Sequence, residues 1–464
     1  HNLISSGAKL RDHCDTETLF WLIEIYGISK TLNMIDGMFS FAHYRADDNT
    51  VILARDQFGQ KPLFYAHIGN TLIFASEIKS IMKHPLLQSA TPDINALSLY
   101  LTMEYIPGTA TGIKQVRELP PGHILQFQNG KLFIEPYCYS KSAVQDNHVD
   151  KNKAIQKLDG LLNASVEQQL IADVPVGIFL SGGLDSSLIA GIASRQQANV
   201  STFTIKFPQS SYDESSHAQD VAKHLGTNHA TIELSRNNCV DGIADLISKI
   251  DQPFADSSLL PTYLLCKATK QQVKVTLGGD GADELFFGYP NFKLQPFTPL
   301  FSSFPTFMRK AMGQFAQRHP LNKGYMNWAF LLRQLSYGLG KPSHMQSIYW
   351  MSALPAHEQK KLWHDNRDYE RTIYNEIAGQ FDHTGKSSLI EQCQYHFLNC
   401  YLPYNILTKT DRASMYNSLE VRSPFLSSQV AEFAFKLPTH LSFKNFKGKR
   451  ILKEVAKPYL PEKI

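Results

Sequence analysis

Six cysteines in 464 residues, Cys14, Cys138, Cys239, Cys266, Cys393 and Cys400, form no C-x-x-C pair and no metal-like grouping with histidine. That spacing gives neither a disulfide framework nor a zinc site, and a reduced, cytoplasmic protein is the expectation. No apolar run approaches the ~18 residues of a membrane span, and no basic segment followed by an apolar one opens the chain as a secretory signal would. The formal net charge is only +4, and Lys and Arg are scattered, so no nucleic-acid-binding face is expected. Internal repeats and low-complexity tracts are absent. The first residue is His1 rather than Met, and "AKPYLPEKI" stops without a tail; the chain is expected to be a fragment lacking residues at both ends.

What is present is ordinary in amount, with 43% apolar and 19% charged residues, as in soluble globular proteins. The length predicts about three domains and a large buried core. Residues 35 to 78 alternate as strands do: "MFSFAHY", a polar turn, "VILARD", then "PLFYAHIGNTLIFAS" with "HIGN" as a tight turn. Closely spaced hairpins of this kind predict antiparallel sheet. Ser76 is the expected N-cap of a helix through "SEIKSIMKH". A second hairpin carries Asn129-Gly130, and the polar stretch 141–152 reads as a linker. From Lys153 the pattern becomes helix, strand, helix, with "VGIFL", "STFTIKF" and "VKVTL" as short buried strands, which implies a parallel sheet covered on both faces. Residues 292–464 read as mostly helical. The chain is therefore expected to hold an α+β part with antiparallel sheets over 1–140, the linker 141–152, and an α/β domain with a parallel sheet and a helical C-terminal part over 153–464.

"VGIFL" runs into "SGGLDSS" (181 to 187). In a doubly wound sheet this strand-to-helix loop is where a ligand binds. Gly182 and Gly183 let backbone N–H groups approach an anion, the helix N-terminus favours one, and Ser181, Ser186 and Ser187 add hydroxyl donors. Asp185 would repel a phosphate, and makes sense if magnesium lies between them. A plain capped turn is the alternative for a lone Gly-Gly. The loop lacks the lysine of G-x-x-x-x-G-K-[ST], so γ-phosphate transfer fits poorly. It resembles the pyrophosphate loop of ATP-pyrophosphatases, which cleave ATP to AMP and pyrophosphate. A second strand end carries "LGGDGADELFFGY" (277 to 289) with Asp280, Asp283 and Glu284. Two acid-bearing loops at neighbouring strand ends would hold one cation between Asp185 and Asp283.

Taken together, "CDTETL", "DGMFSFAHY", "ARDQFGQKPLFY", "FASEIKSI", "SGGLDSS", "GGDGADELFFGY", "YLPYNILTKTDRASMYNSLEVRSPFL" and "GKRILKE" resemble the glutamine-dependent asparagine synthetases of bacterial type, over nearly the whole chain. The resemblance implies an N-terminal-nucleophile glutaminase domain followed by an ATP-pyrophosphatase domain. It implies that Ser181, Gly182, Gly183, Asp185, Ser186 and Ser187 hold pyrophosphate, that Leu180 and Ile205 line the adenine pocket beside Gly278 and Gly279, and that Asp185 and Asp283 hold Mg2+. Asp280, Lys409, Arg412 and Lys449 are the implied catalytic residues, although each of the three cations is also readable as a surface charge or a structural ion pair. Glu420 and Arg422 are equally readable as site residues or as a pair beneath the site. Asp15 would grip the α-amino group of glutamine, or merely cap the helix that follows. Arg55, Gly59 and Pro62 are expected to shape the sheet and the domain contact. The family's N-terminal cysteine, an arginine and an Asn-Gly-Glu segment belong upstream of His1, and Cys14 does not match the nucleophile.

What this implies is ATP-dependent amidation of aspartate to asparagine through a β-aspartyl-AMP intermediate, with ammonia taken from glutamine or supplied free. The implied partners are these small molecules, with no nucleic acid and no membrane, and a homodimer is compatible with them. Asp280 departs from the pattern, since asparagine synthetases often carry glutamate there. The same chemistry on another carboxylate, a sugar acid or a peptide side chain, therefore stands as the alternative. A non-catalytic scaffold is a more distant one, with no reason to keep Asp185, Asp283, Lys409 and Lys449 together.

Overall fold

The structure, a computed structural model, describes residues 2–5, 7, 10–11, 14–138, 149–318, 328–363, 367–378 and 388–462. The alternating segments form strands β1 (Ser40–Arg45), β2 (Thr50–Arg55), β3 (Phe64–Ile68), β4 (Thr71–Ala75), β5 (Arg117–Glu118), β6 (His123–Gln128) and β7 (Lys131–Pro136). They pair antiparallel in two sheets, ordered β1-β2-β6-β7 and β4-β3-β5. Asn129 and Gly130 both take positive φ, 51° and 73°, the left-handed pair that a two-residue hairpin turn demands. One local expectation fails. The helix Ile78–Ile81 has Glu77 rather than Ser76 at its N-cap, with no side-chain cap bond. Glu77 is still extended, so the Ser76 hydroxyl lies one residue too far upstream.

Residues 139–148, most of the stretch expected as a linker, lie outside the described residues. The helix Lys151–Leu170 begins within 141–152, where the Asp150 carboxylate accepts from the Lys153 N–H at 2.9 Å. Beyond it, β8 (Val176–Phe179), β9 (Ser201–Lys206), β10 (Asn228–Glu233), β11 (Val275–Leu277) and β12 (Glu420–Arg422) form one all-parallel sheet ordered β10-β9-β8-β11-β12. The chain goes one way from β8 to β9 and β10, then crosses back to β11 and β12. The gap beyond the carboxyl ends of β8 and β11 is thus the topological switch point, where open α/β sheets bind ligands. Glu420 and Arg422 pair with each other at 2.6 Å, and Arg422 donates to the carbonyls of Gln169 and Ile171. They tie β12 to the end of the helix Lys151–Leu170. Among the described residues no helix is long and apolar enough to cross a membrane.

The two parts are joined by side chains. Arg55, 1% exposed, donates to the carbonyls of Gly59, Lys61 and Leu119 and pairs with Glu118 at 2.8 Å. The buried Asp56 carboxylate accepts from the N–H groups of Phe58, Gln60 and Lys61. Together they fix the loop 57–61, which pushes Phe58 into an apolar cluster of the second domain that includes Leu426 and Val430. Nearby, the Ser428 hydroxyl donates to Asp36 at 2.7 Å and to Gln57 at 3.3 Å.

A buried ion pair broken on one side leaves an uncompensated charge, which typically costs about 3–5 kcal/mol. Arg55→Leu is expected to lower the unfolding free energy by about that amount in urea titrations at pH 7. Arg55→Leu/Glu118→Leu should recover part of it; a double variant less stable than the single one contradicts the assignment.

Candidate active site

The loop after β8 turns at Gly182, where φ is +82° and a Cβ would lie 2.6 Å from the Ala218 nitrogen and 2.7 Å from the His217 Cβ. Gly183 is the N-cap of the helix Leu184–Gln196, whose first turn presents N–H groups without intrahelical partners. The loop is braced from within. The Ser181 N–H donates to the Ser186 hydroxyl at 3.1 Å, the Ser181 and Ser186 hydroxyls are 3.0 Å apart, and the Gly183 N–H donates to the Ser181 hydroxyl. Ser187 is fully buried, and its hydroxyl has no hydrogen-bond partner among the described residues.

Facing this loop, β11 ends at Gly278 and Gly279, and the short helix Ala282–Phe286 follows. A cleft of 340 Å³ opens between the two strand ends. Its walls carry Leu180, Ser181, Gly183, Asp185 and Ser186 from the first loop and Gly278, Gly279, Asp280 and Asp283 from the second. Ile205 on β9 and Lys409 on the helix Thr408–Met415 complete it. These expected site residues therefore meet in one place. Phe179, Phe203, Thr204, Thr262, Leu265 and Thr410 also line it; the sequence reading missed them, having no signal for apolar and threonine positions on neighbouring elements.

Lys449 stands between the two loops, its ammonium 2.5 Å from Asp185 Oδ2 and 2.5 Å from Asp283 Oδ1. The Lys449 N–H also donates to the Phe286 carbonyl at 2.8 Å. Burial pushes the Asp185 carboxyl up to about 6, with Lys449 opposing and Asp283 adding to it. Burial alone would lower Lys449, but Asp185 and Asp283 outweigh it and hold the ammonium above its usual range. Asp185 Oδ1 is buried with no hydrogen-bond partner among the described residues. Burial also raises Asp280, against which Lys409 and a 3.0 Å hydrogen bond from the Thr410 hydroxyl act. Glu284, buried behind the cleft, is pushed up to about 8 by burial and by Asp283, while the Tyr289 hydroxyl donates to it at 2.6 Å.

Two expected residues lie elsewhere. Thr408, Asp411, Arg412 and Met415 share one face of their helix at the i, i+3, i+4, i+7 spacing, and that face lines a separate cavity of 280 Å³ between the two domains. Arg412 is 3.5 Å from Asp251 and lies over the Phe254 ring, and it lines this cavity rather than the cleft that holds Lys409. Asp15 is exposed in the first turn of the helix Asp15–Tyr26, next to Cys14 at its N-cap, and accepts from the Thr16 hydroxyl at 3.4 Å.

The family model described as "Asparagine synthase" matches residues 157–464, and "Glutamine amidotransferase domain" matches residues 1–138. The chain belongs to the asparagine synthase family of glutamine-dependent carbon–nitrogen ligases. It is similar to asparagine synthetase [glutamine-hydrolyzing] 1 of Bacillus subtilis, at 29% identity over 100% of this chain and 71% of that protein. It is 30% identical to a putative asparagine synthetase of Mycobacterium tuberculosis over 94% of this chain and 66% of that one. It is also 27% identical to amidase chyE of Penicillium rubens, over 97% of this chain and 71% of the other. The chain thus spans roughly two thirds of these relatives' lengths.

At Gly288 a Cβ would lie 1.7 Å from Asp283 Oδ1 and 2.2 Å from Lys449 Cε. Gly288→Ala is therefore expected to displace both and to weaken ATP binding roughly tenfold in calorimetric titration. Gly160→Ala, where a Cβ meets nothing within 4 Å, should leave binding unchanged. Equal affinities for the two variants would show that ATP binds away from Asp283 and Lys449.

Proposed function

We propose that the cleft activates the side-chain carboxylate of aspartate with ATP and that ammonia, from glutamine or free ammonium, converts it to asparagine. The observation that carries this reading is the meeting of the Ser181–Ser187 loop with Asp280 and Asp283 at one switch point, with no lysine of the γ-phosphate-transferring kind in the loop. A carboxylate is a poor electrophile because its oxygen leaves badly. In the proposed first step that oxygen attacks the α-phosphorus of ATP, pyrophosphate departs, and an acyl-adenylate remains. In the second, ammonia displaces AMP.

Ser181, Ser186 and the N–H groups at the start of the helix Leu184–Gln196 hold the departing pyrophosphate and stabilise its charge. Leu180 and Ile205 pack against the adenine, and Lys449 balances the charge between the two loops. Lys409 faces the acyl-phosphate end. Asp280, fixed by Thr410, is the carboxylate placed to take the proton that the attacking ammonia must lose.

The residues present also fit magnesium. Asp185 Oδ1 is a buried acceptor without a partner among the described residues, and Asp283 lies across a shared cation from it. Magnesium is usually held by only one or two carboxylates, with phosphate oxygens and water completing its shell. Bound there, it would neutralise charge on the phosphates. The reading places the reaction in the cytoplasm without nucleic acid, and it is compatible with a homodimer. A second acceptor is favoured by one observation: Asp280 is a methylene shorter than the glutamate that the resemblance implies, which leaves room for a larger carboxylate than aspartate.

With ATP, magnesium, L-aspartate and ammonium, the chain is expected to release AMP and pyrophosphate and to form asparagine. ADP and orthophosphate as the nucleotide products would refute the reading. Pyrophosphate exchange into ATP across a panel of carboxylates decides the acceptor.

Asp185→Asn and Asp283→Asn should each lose most of the activity while the unfolding midpoint stays close to wild type, since each removes charge and almost no volume. Charge stabilisation by such a site is worth several kcal/mol in the transition state. Wild-type turnover by either variant at limiting magnesium would show that the cation is held by other residues.

A further inference from the structure

The loop 57–61 is an expensive feature. Arg55 and Asp56 are both buried, and burying charge is unfavourable unless every polar atom finds a partner. Their side chains make six hydrogen bonds to neighbouring backbone and an ion pair with Glu118, more than closing a five-residue turn requires. What they secure is an outward-facing set of side chains. Phe58 fills a socket in the second domain, Gln57 accepts from Ser428, and the Lys61 ammonium meets Asp411 at 3.0 Å, with both side chains largely shielded from water.

Asp411 is followed through the structure to the active site. It lies on the helix Thr408–Met415, whose other face carries Lys409 and Thr410 into the nucleotide cleft. Thr410 holds Asp280 at 3.0 Å. A small gap lined in part by Gln60, Lys61, Thr410 and Asp411 shares Gln60, Lys61 and Asp411 with the inter-domain cavity and Thr410 with the cleft. The preceding segment, Phe397–Leu407, is π-helical and contains Pro403. Wide helical turns of this kind are frequent at functional sites, and the helix Thr408–Met415 follows this one directly.

We infer that Lys61 of the amino-terminal domain is a positioning residue of the synthetase site, acting through Asp411 to fix the rotation of the helix that carries Lys409 and Thr410. The inference rests on the cleft being the amidation site. It adds that the first domain shapes this site directly as well as serving as a source of nitrogen. Lys61 touches no substrate. Its effect passes through one ion pair, one turn of helix and one hydrogen bond to Asp280.

The test compares Lys61→Met, Lys61→Arg, Asp411→Asn and Lys61→Met/Asp411→Asn in the full chain. With ammonium as donor, Lys61→Met is expected to lower kcat for amide formation roughly tenfold and to leave the KM for ATP within about twofold, because the phosphate loop is untouched. Lys61→Arg should restore the rate, and the double variant should be no slower than either single one. Hydrogen–deuterium exchange without substrates gives an independent readout: amides of residues 408–415 should exchange faster in Lys61→Met and as in wild type in Lys61→Arg. Wild-type exchange and turnover in Lys61→Met, or additive losses in the double variant, would overturn the inference. If the wild-type chain amidates no carboxylate, the functional reading fails, and exchange alone decides whether Lys61 sets the helix: faster exchange supports it and unchanged exchange overturns it.

Discussion

Two carboxylates from different loops, Asp185 and Asp283, are held across the gap between two parallel strand ends, and the ammonium of Lys449 between them makes that arrangement tolerable. Like charges in a desolvated cleft repel strongly, and a cation within hydrogen-bond reach of both reverses the sign. Much of the local backbone follows from this need. Gly288 leaves room for Lys449 and Asp283. Lys449 itself takes a left-handed backbone conformation, φ 52°, and bonds to the Phe286 carbonyl. The orphaned Asp185 Oδ1 shows that the lysine satisfies only part of what the carboxylates offer.

The rest of the chain holds this gap open to ligands. Parallel β8 and β11 are adjacent because the chain reverses direction in the sheet between them, and both loops therefore emerge on the same edge. The helix Thr408–Met415 closes one side of the cleft and at the same time forms a wall of the cavity between the domains. A single turn of helix thus belongs to two chambers, and its orientation is a property of the whole chain rather than of either domain.

Much of this was legible in the sequence where backbone chemistry leaves a signature. "SGGLDSS" after a buried strand located a loop of the cleft at the strand end, and Asn129-Gly130 located its hairpin. The pairing of Asp185 with Asp283 followed from acids at two strand ends. The strands Asn228–Glu233 and Glu420–Arg422 were not legible, being edge strands of a sheet with polar or very short sequences. Arg412 was grouped with Lys409 by the family resemblance alone, since both lie in one motif. The full period i, i+3, i+4, i+7 assigns Arg412 to the face of Thr408 and Met415 instead. Lys61 gave no sign of its role, since a lysine beside a proline looks like any surface charge until the residue it meets, 350 positions away, is known.

The insertion of Phe58 has a consequence for how the protein is made. Its socket is completed by residues near Ser428, and the contact from Gln57 to Ser428 spans 371 positions. A ribosome adding about 5–20 residues per second needs roughly 20–75 s to cover that distance. Throughout that interval the first sheets can fold, but the aromatic ring on their loop has nothing to enter. The nascent chain therefore carries an unfilled apolar plug until the segment around Ser428 has been made.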